Sequence, residues 1–154
     1  MFFCDGVYEK YGEKVKRTGI HGYINISGIF RASCNDGTLQ ATENVSKDDL
    51  YDYIKQFGFG TSVDIGLTGE NAGILRSPGN WSLRSKMAIP MGQEISVNAV
   101  QIVKAATVFL NDGILIEPKI INKIYDPNNL TEIKFKRKEL RRVLKPGVSQ
   151  KVLD

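Results

Sequence analysis

Residues 61–81 carry Gly66, Gly69, Gly73, Pro78 and Gly79 with no sustained hydrophobic period, and an apolar stretch follows them at residues 96–110. So long a run without regular structure must be held by packing rather than by ladders, and in compact domains it is usually functional or docked on something. The stretch after it places Val97, Val100, Ile102, Val103, Ala106, Thr107 and Leu110 at helical spacing with few polar positions. That pattern predicts a helix capped by Ser96 and buried on most sides. A chain of 154 residues has the size of one domain and can hide roughly two-thirds of its unfolded surface, which is core enough to hold such a loop.

Upstream, the punctuation is helical. Ile26, Ile29 and Phe30 predict a short helix capped by Asn25 or Ser27 and ending near Arg31 and Ala32; a second short helix follows Asn35 through Leu39 and Ala41. Ser46, with Asp48 and Asp49 in the first turn, predicts a third, whose apolar face is Leu50, Tyr53, Ile54 and Phe57. Gly58-Phe59-Gly60 stops it, and lacks both the third glycine and the preceding strand of a dinucleotide loop. Residues 1–20 read as irregular chain with room for a short strand pair. Downstream, Asn111-Asp112-Gly113 ends the apolar helix, Ile114 to Tyr125 reads as a strand containing Pro118, Asp126-Pro127-Asn128-Asn129 as a turn, and Glu132 to Lys136 as its partner strand. The last residues, Ser149 to Asp154, look like the opening turn of a helix, as expected of a piece of a longer protein. The fold class expected is α+β, mainly helical, with the helical part at about residues 20–113 and a strand pair plus basic segment at about 114–154.

The net charge of +4 is concentrated at the end of the chain: residues 130–154 hold eight cationic and three acidic side chains. Leu140, Val143 and Leu144 lie at helical spacing within this block, so it is expected to be a surface helix with a solvated cationic face rather than a nucleic-acid site. Only Phe135 interleaves with the cations, which supports no stacking platform for single strands. No apolar run approaches the ~20 residues that span a bilayer, and Met1-Phe2-Phe3-Cys4-Asp5 has no signal-peptide character. Cys4 and Cys34 are few and far apart in sequence and His21 is the lone imidazole, so no metal and no cofactor is expected. In an oxidising compartment the two cysteines could instead close one disulfide loop, worth ~3–4 kcal/mol in the chain-entropy account. Glu70, in a glycine-rich turn with no paired acid, is expected to cap nearby amides rather than act as a general base.

The triplet Ser33-Cys34-Asn35 gives these elements a chemical reading. A serine hydroxyl both donates and accepts and so can relay a proton, whereas an asparagine amide holds two partners without titrating. Cys34 between them has no imidazole base to spare and reads as small apolar filler, not a nucleophile. Together with Cys4-Asp5-Gly6, His21-Gly22, Phe57-Gly58-Phe59-Gly60, Asp64-Ile65, Gly69-Glu70, Gly73, Met91-Gly92-Gln93, Ser96-Val97, Gln101, Asn111-Asp112-Gly113 and Pro118, in this order, the chain resembles the transpeptidase domain of class B penicillin-binding proteins over nearly its whole length. The resemblance implies part of the penicillin-binding-protein transpeptidase (β-lactamase-like) fold. It also implies that Ser33 relays a proton to the leaving amine, that Asn35 binds the substrate's backbone carbonyl, and that His21 fixes the entry of the chain into the following helix.

The departures matter as much. No serine here has lysine three positions later, and Lys145-Pro146-Gly147 only echoes the family's Lys-Thr-Gly, since proline supplies neither hydroxyl nor amide. Asn98 stands where the family often has threonine. The expectation is therefore that this chain is part of a peptidoglycan D,D-transpeptidase and is inactive alone, with the nucleophile upstream. By the same resemblance the intact protein would take peptidoglycan stem peptides and β-lactams, lie on the extracytoplasmic face of the bacterial membrane through an upstream anchor, and meet cell-division or elongation proteins. The alternative is a non-catalytic interaction module derived from such a protein.

Overall fold

The computed structural model describes residues 1–10, 12–16, 19–128 and 130–153. Asn129 of the predicted turn and Asp154 of the predicted terminal helix lie outside the described residues. The chain divides into two compact units, residues 1–51 with 75–95, and residues 52–74 with 96–154.

In the first unit, β1 (Phe2–Cys4) pairs antiparallel with β4 (Gly22–Ile24), Cys4 opposite Gly22, and β2 (Val7–Lys10) pairs with β3 (Glu13–Lys16). Within residues 1–20 the short strand pair is β2 with β3, while β1 finds its partner just beyond them, in β4. Helix α1 (Ile26–Arg31) begins where expected, the Asn25 side chain accepting from Gly28 N at 2.8 Å, and α2 (Asn35–Thr42) follows. Gly37 on α2 lies so close to α1 that a Cβ there would sit 2.6 Å from Ile29 Cγ1. The core is Cys4, Ile29 and Cys34, with Phe2, Ile24, Ala32 and Ala41 against it.

Helix α3 (Lys47–Gln56) starts at Ser46, whose Oγ accepts from Asp49 N at 3.0 Å. A further helix, α4 (Leu83–Ala88), has no counterpart in the sequence reading, and a 3-10 turn at Ile89–Met91 continues it. Its signal is a capping box in which Ser82 and Ser85 each accept the other's backbone N–H, at 3.1 Å in both directions. Serine fills the place where glutamate or glutamine is usual, which hides the motif.

In the second unit, α5 (Ala99–Leu110) is capped by Asn98 and not by Ser96. Asn98 Oδ1 accepts from Gln101 N at 2.8 Å and Gln101 Oε1 accepts from Asn98 N at 3.0 Å, so two first-turn donors are satisfied reciprocally. Ser96 instead forms an antiparallel bridge with Ile74. Gln101, 1% exposed, donates through Nε2 to Thr61 O at 2.8 Å and Ala72 O at 2.9 Å, fastening the start and the middle of the irregular loop to the helix. The helix is not buried on most sides. Gln101, Lys104, Ala105 and Val108 are buried, while Ile102, Val103 and Leu110 are 53%, 61% and 74% exposed. Burial pushes the Lys104 ammonium below the usual lysine range, helped by the nearby Arg141 cation and opposed by Glu70 and Glu117.

The strand expected over 114–125 is two strands. β5 (Ile114–Ile116) ends before Pro118, and β6 (Lys123–Asp126) pairs with β7 (Thr131–Lys134) as the expected hairpin. The basic block is not a helix over Leu140–Leu144: β8 (Glu139–Arg142) pairs antiparallel with β5, Leu115 opposite Arg141, before a short α6 (Gln150–Leu153). Val143 joins Val108 and Leu115 in the core, with Phe57 and Leu144 beside them. Arg141 donates to Gln56 O at 2.9 Å and Lys55 O at 3.0 Å, satisfying carbonyls at the end of α3, and Arg142 donates to Asp112 O at 2.6 Å in the turn that follows α5.

Glu70 caps amides, receiving Val63 N and Asp64 N, the latter at 2.8 Å. Desolvation would raise its pKa, but these donors and the Ser62 hydroxyl outweigh it and hold the carboxyl below the usual range. A depressed carboxylate contributes stability that is present above its unfolded pKa and lost as pH falls through the folded one. Glu70→Gln should therefore flatten the acid side of the stability profile in urea titrations between pH 3 and 6; an unchanged slope would remove Glu70 from that role.

Candidate active-site loop

Ala32, Ser33 and Cys34 connect α1 to α2. Ser33 N donates to Phe30 O at 3.0 Å and Cys34 N to Ile29 O at 2.9 Å, the pair of bonds that closes a Schellman helix end. The residue at its turning point is usually glycine, because φ is positive there; here it is Ser33 at φ 48°. A non-glycine residue in this region costs about 1 kcal/mol. Cys34 then caps α2, its Sγ accepting from Gly37 N at 3.3 Å, and Asn35 is the first residue of α2.

This geometry separates roles that the sequence left merged. The helix-end and cap functions belong to the backbone of Ser33 and the thiol of Cys34, leaving the Ser33 side chain exposed and the Asn35 side chain part-buried. Asn35 lines a cleft of about 260 Å³ together with Lys14, Lys16, Arg84 and Gln93. No hydrogen bond among the described residues engages its amide. Glu13 also lines this cleft, so the three cations from β3 and α4 face Asn35 beside one carboxylate.

Behind the triplet the fold gathers three groups that sequence distance had set apart. Cys34 Sγ lies 3.1 Å from Cys4 Sγ, which is 3.4 Å from His21 Nδ1. Their three ligand atoms fall within 4.8 Å of one another. Both cysteines are free and buried, and burial, reinforced by the Cys34 thiol, pushes the Cys4 thiol above its usual range. The expectation that these residues are too far apart to share a site is corrected: pairing of β1 with β4 brings His21 against Cys4, and the α1–α2 turn delivers Cys34. Asp36, also missed, is 2% exposed, with Oδ1 accepting from Gln40 Nε2 at 2.7 Å. A signal was present, because Cys4, His21 and Cys34 each lie in a different one of the short motifs quoted above.

Comparison with known proteins agrees with this arrangement. The family model described as "Penicillin binding protein transpeptidase domain" matches residues 2–154. Penicillin-binding protein PbpB of Mycolicibacterium smegmatis is 31% identical over 141 residues, 90% of this chain and 22% of that protein. Stage V sporulation protein D of Bacillus subtilis is 33% identical over 129 residues, 82% of this chain and 20% of that protein. The chain thus spans about a fifth of the length of these relatives. Among solved structures, apo penicillin-binding protein 3 from Mycobacterium tuberculosis superposes with a TM-score of 0.89 at 28% identity, covering 98% of this chain and 34% of that one. A peptidoglycan synthetase from Bifidobacterium adolescentis gives a TM-score of 0.90 at 27% identity, covering 99% of this chain and 28% of that one. The chain belongs to the penicillin-binding-protein transpeptidase domain family, with the class B affiliation and the α+β fold that its motifs indicate.

Proposed function

We propose that this chain is the Ser-x-Asn-bearing part of a peptidoglycan D,D-transpeptidase, in which Ser33 and Asn35 serve a nucleophilic serine located outside these 154 residues. The observation that carries the reading is the placement of the triplet: backbone amides of Ser33 and Cys34 close the end of α1, the Cys34 thiol caps α2, Ser33 is exposed, and Asn35 two residues on lines a cleft. In the reaction, the nucleophilic oxygen attacks the carbonyl of the penultimate D-alanine of a stem peptide, and the terminal D-alanine leaves as an amine. Ser33 passes a proton toward that nitrogen. Asn35 holds the peptide carbonyl, and Lys14, Lys16 and Arg84 complement the substrate's terminal carboxylate across the cleft. A second amine then takes the acyl group.

Relatives support the class of reaction: one matching protein of Neisseria gonorrhoeae is named a probable peptidoglycan D,D-transpeptidase, and the M. tuberculosis protein above has been solved with aztreonam and with ampicillin. By this reading β-lactams acylate the same serine, and the full-length protein works on the extracytoplasmic face of a bacterial membrane. Among the described residues no helix is long and apolar enough to cross a membrane, so an anchor would belong to another part of that protein. Cell-division or elongation partners remain part of the same proposal.

Asn35→Ala in the full-length protein tests the carbonyl contact. Losing one or two neutral hydrogen bonds to the substrate should lower kcat/KM for a stem-peptide analogue by roughly 10- to 100-fold. An unchanged kcat/KM would exclude Asn35 from substrate binding.

A further inference from the structure

We infer that the hairpin of β6 and β7 is a docking edge for an extended segment of a partner protein in which apolar and acidic residues alternate, taken up as a third strand beside β7. The hairpin lies wholly in the second unit, and the inference does not depend on the acyl-transfer reading. The first observation is an unfinished sheet. Among the described residues β6 and β7 pair only with each other, so each keeps a free edge. From Lys119 to Leu140, Asp126 is the one residue of described burial that is not exposed. A two-stranded hairpin standing alone is marginally stable in water, and a free edge offers a row of unpaired amides and carbonyls. Ile124 stands opposite Ile133, and Phe135 N donates to Asn122 O at 3.0 Å, which carries the ladder one step further. Strand alternation therefore puts Ile124, Ile133 and Phe135 on one face, where they are 47%, 55% and 41% exposed. Phe135 also reaches a groove of about 290 Å³ lined by Ile65, Ile120 and Ile121 and by the charged Asp64, Glu117 and Lys119.

The second observation is the charge of the opposite face. Residues 119–138 hold six cationic and two acidic side chains. Lys123 stands directly opposite Lys134, an arrangement in which like charges destabilise a strand pair. Both lean on one carboxylate, that of Glu132, at 3.4 and 3.5 Å. Alternation past Phe135 adds Lys136 to this face, which then presents three ammonium groups and one carboxylate.

A strand laid along β7 with apolar and acidic residues in alternation answers both faces at once. Its apolar side chains extend the surface of Ile133 and Phe135, its carboxylates come beside Lys134 and Lys136, and its backbone fills the free edge. The same charge works against a second copy of this chain, because β7 beside another β7 would bring lysines together. A bilayer fits less well. With the apolar face inserted, the lysines of the other face would point away from anionic headgroups, and hydrocarbon cannot pair with edge amides.

The 154-residue chain is titrated with a fluorescein-labelled peptide of about ten residues in which valine alternates with glutamate, and binding is read by fluorescence anisotropy. A dissociation constant on the order of 10 µM is expected of so small an interface, weakening as salt is added. A peptide of the same composition with its valines and glutamates in two separate blocks should bind at least about 10-fold more weakly, because it cannot present one residue type to each face. Lys134→Glu combined with Lys136→Glu should cost about 10-fold or more. One readout needs no variant: Phe135 N points toward β6, so alternation turns the amides of Glu132 and Lys134 outward, and their hydrogen exchange should slow when the peptide binds. The inference is overturned if the alternating peptide does not bind, if the block peptide binds as tightly, if exchange at Glu132 and Lys134 is unchanged in the peptide-bound chain, or if phosphatidylglycerol vesicles protect these amides and the peptide does not.

Discussion

Ser33→Gly in the full-length protein should slow acylation by penicillin by about 10²–10⁴-fold, the range for a positioned proton-transfer group, while the fold becomes no less stable. The combination is unusual and follows from the backbone. Ser33 sits at φ 48°, where glycine is the unstrained residue, and the bonds that close the helix end run through its amide and that of Cys34. Removing the side chain therefore leaves those bonds in place and relieves up to about 1 kcal/mol of strain. A helix-end residue with no other duty would differ in acylation alone, which Ser33→Gly would then leave unchanged. Loss of both acylation and thermal stability would mean that the hydroxyl holds the loop.

Gly73→Ala should destabilise the second unit by about 2–4 kcal/mol, among the largest effects open to one added methyl group. Gly73 has φ 71°, and a Cβ built there would meet Ser96 O at 2.1 Å and Ser96 C at 2.9 Å. Both are backbone atoms, in the bridge where Ile74 N donates to Ser96 O at 2.8 Å and Ser96 N to Ile74 O at 3.0 Å. No side chain can swing aside to make room. Gly66→Ala is the internal control: φ is 79°, but nothing lies within 4 Å of the added carbon, so only the backbone cost of about 1 kcal/mol applies. Equal urea midpoints for the two variants would show that the bridge does not hold the loop.

How much of this was legible in advance depended on how local the determining contact is. The caps at Asn25 and Ser46 were readable because a cap is set by residues three apart. The start of α5 was misread because Ser96 and Asn98 are both capping residues; Gln101, three after Asn98, decides between them, and Ser96 is taken by Ile74 from 22 positions earlier. Leu140, Val143 and Leu144 fit a helix by spacing alone. Pairing with β5, invisible in the local pattern, makes 139–142 a strand. The apolar character of α5 was read correctly, but composition says nothing about which faces this chain itself covers.

The site was legible in the same uneven way. Ser33 and Asn35 were singled out through residue type and motif context, and the structure adds that the helix-end bonds run through the Ser33 and Cys34 amides and the α2 cap through the Cys34 thiol. The Cys4, His21 and Cys34 cluster was dismissed because 17 and 30 positions of chain intervene, a distance that one strand pair and one helix turn remove. Asp36 gave no pattern to read; only its burial with an unpartnered oxygen marks it.

The central claim, that the triplet assists acyl transfer but does not perform it, is tested most directly with a fluorescent penicillin applied side by side to the 154-residue chain and to the full-length protein. The account predicts covalent label on the full-length protein and none on the chain. Covalent label on the 154-residue chain that disappears with Ser33→Ala would contradict it, because Ser33 would then be the nucleophile.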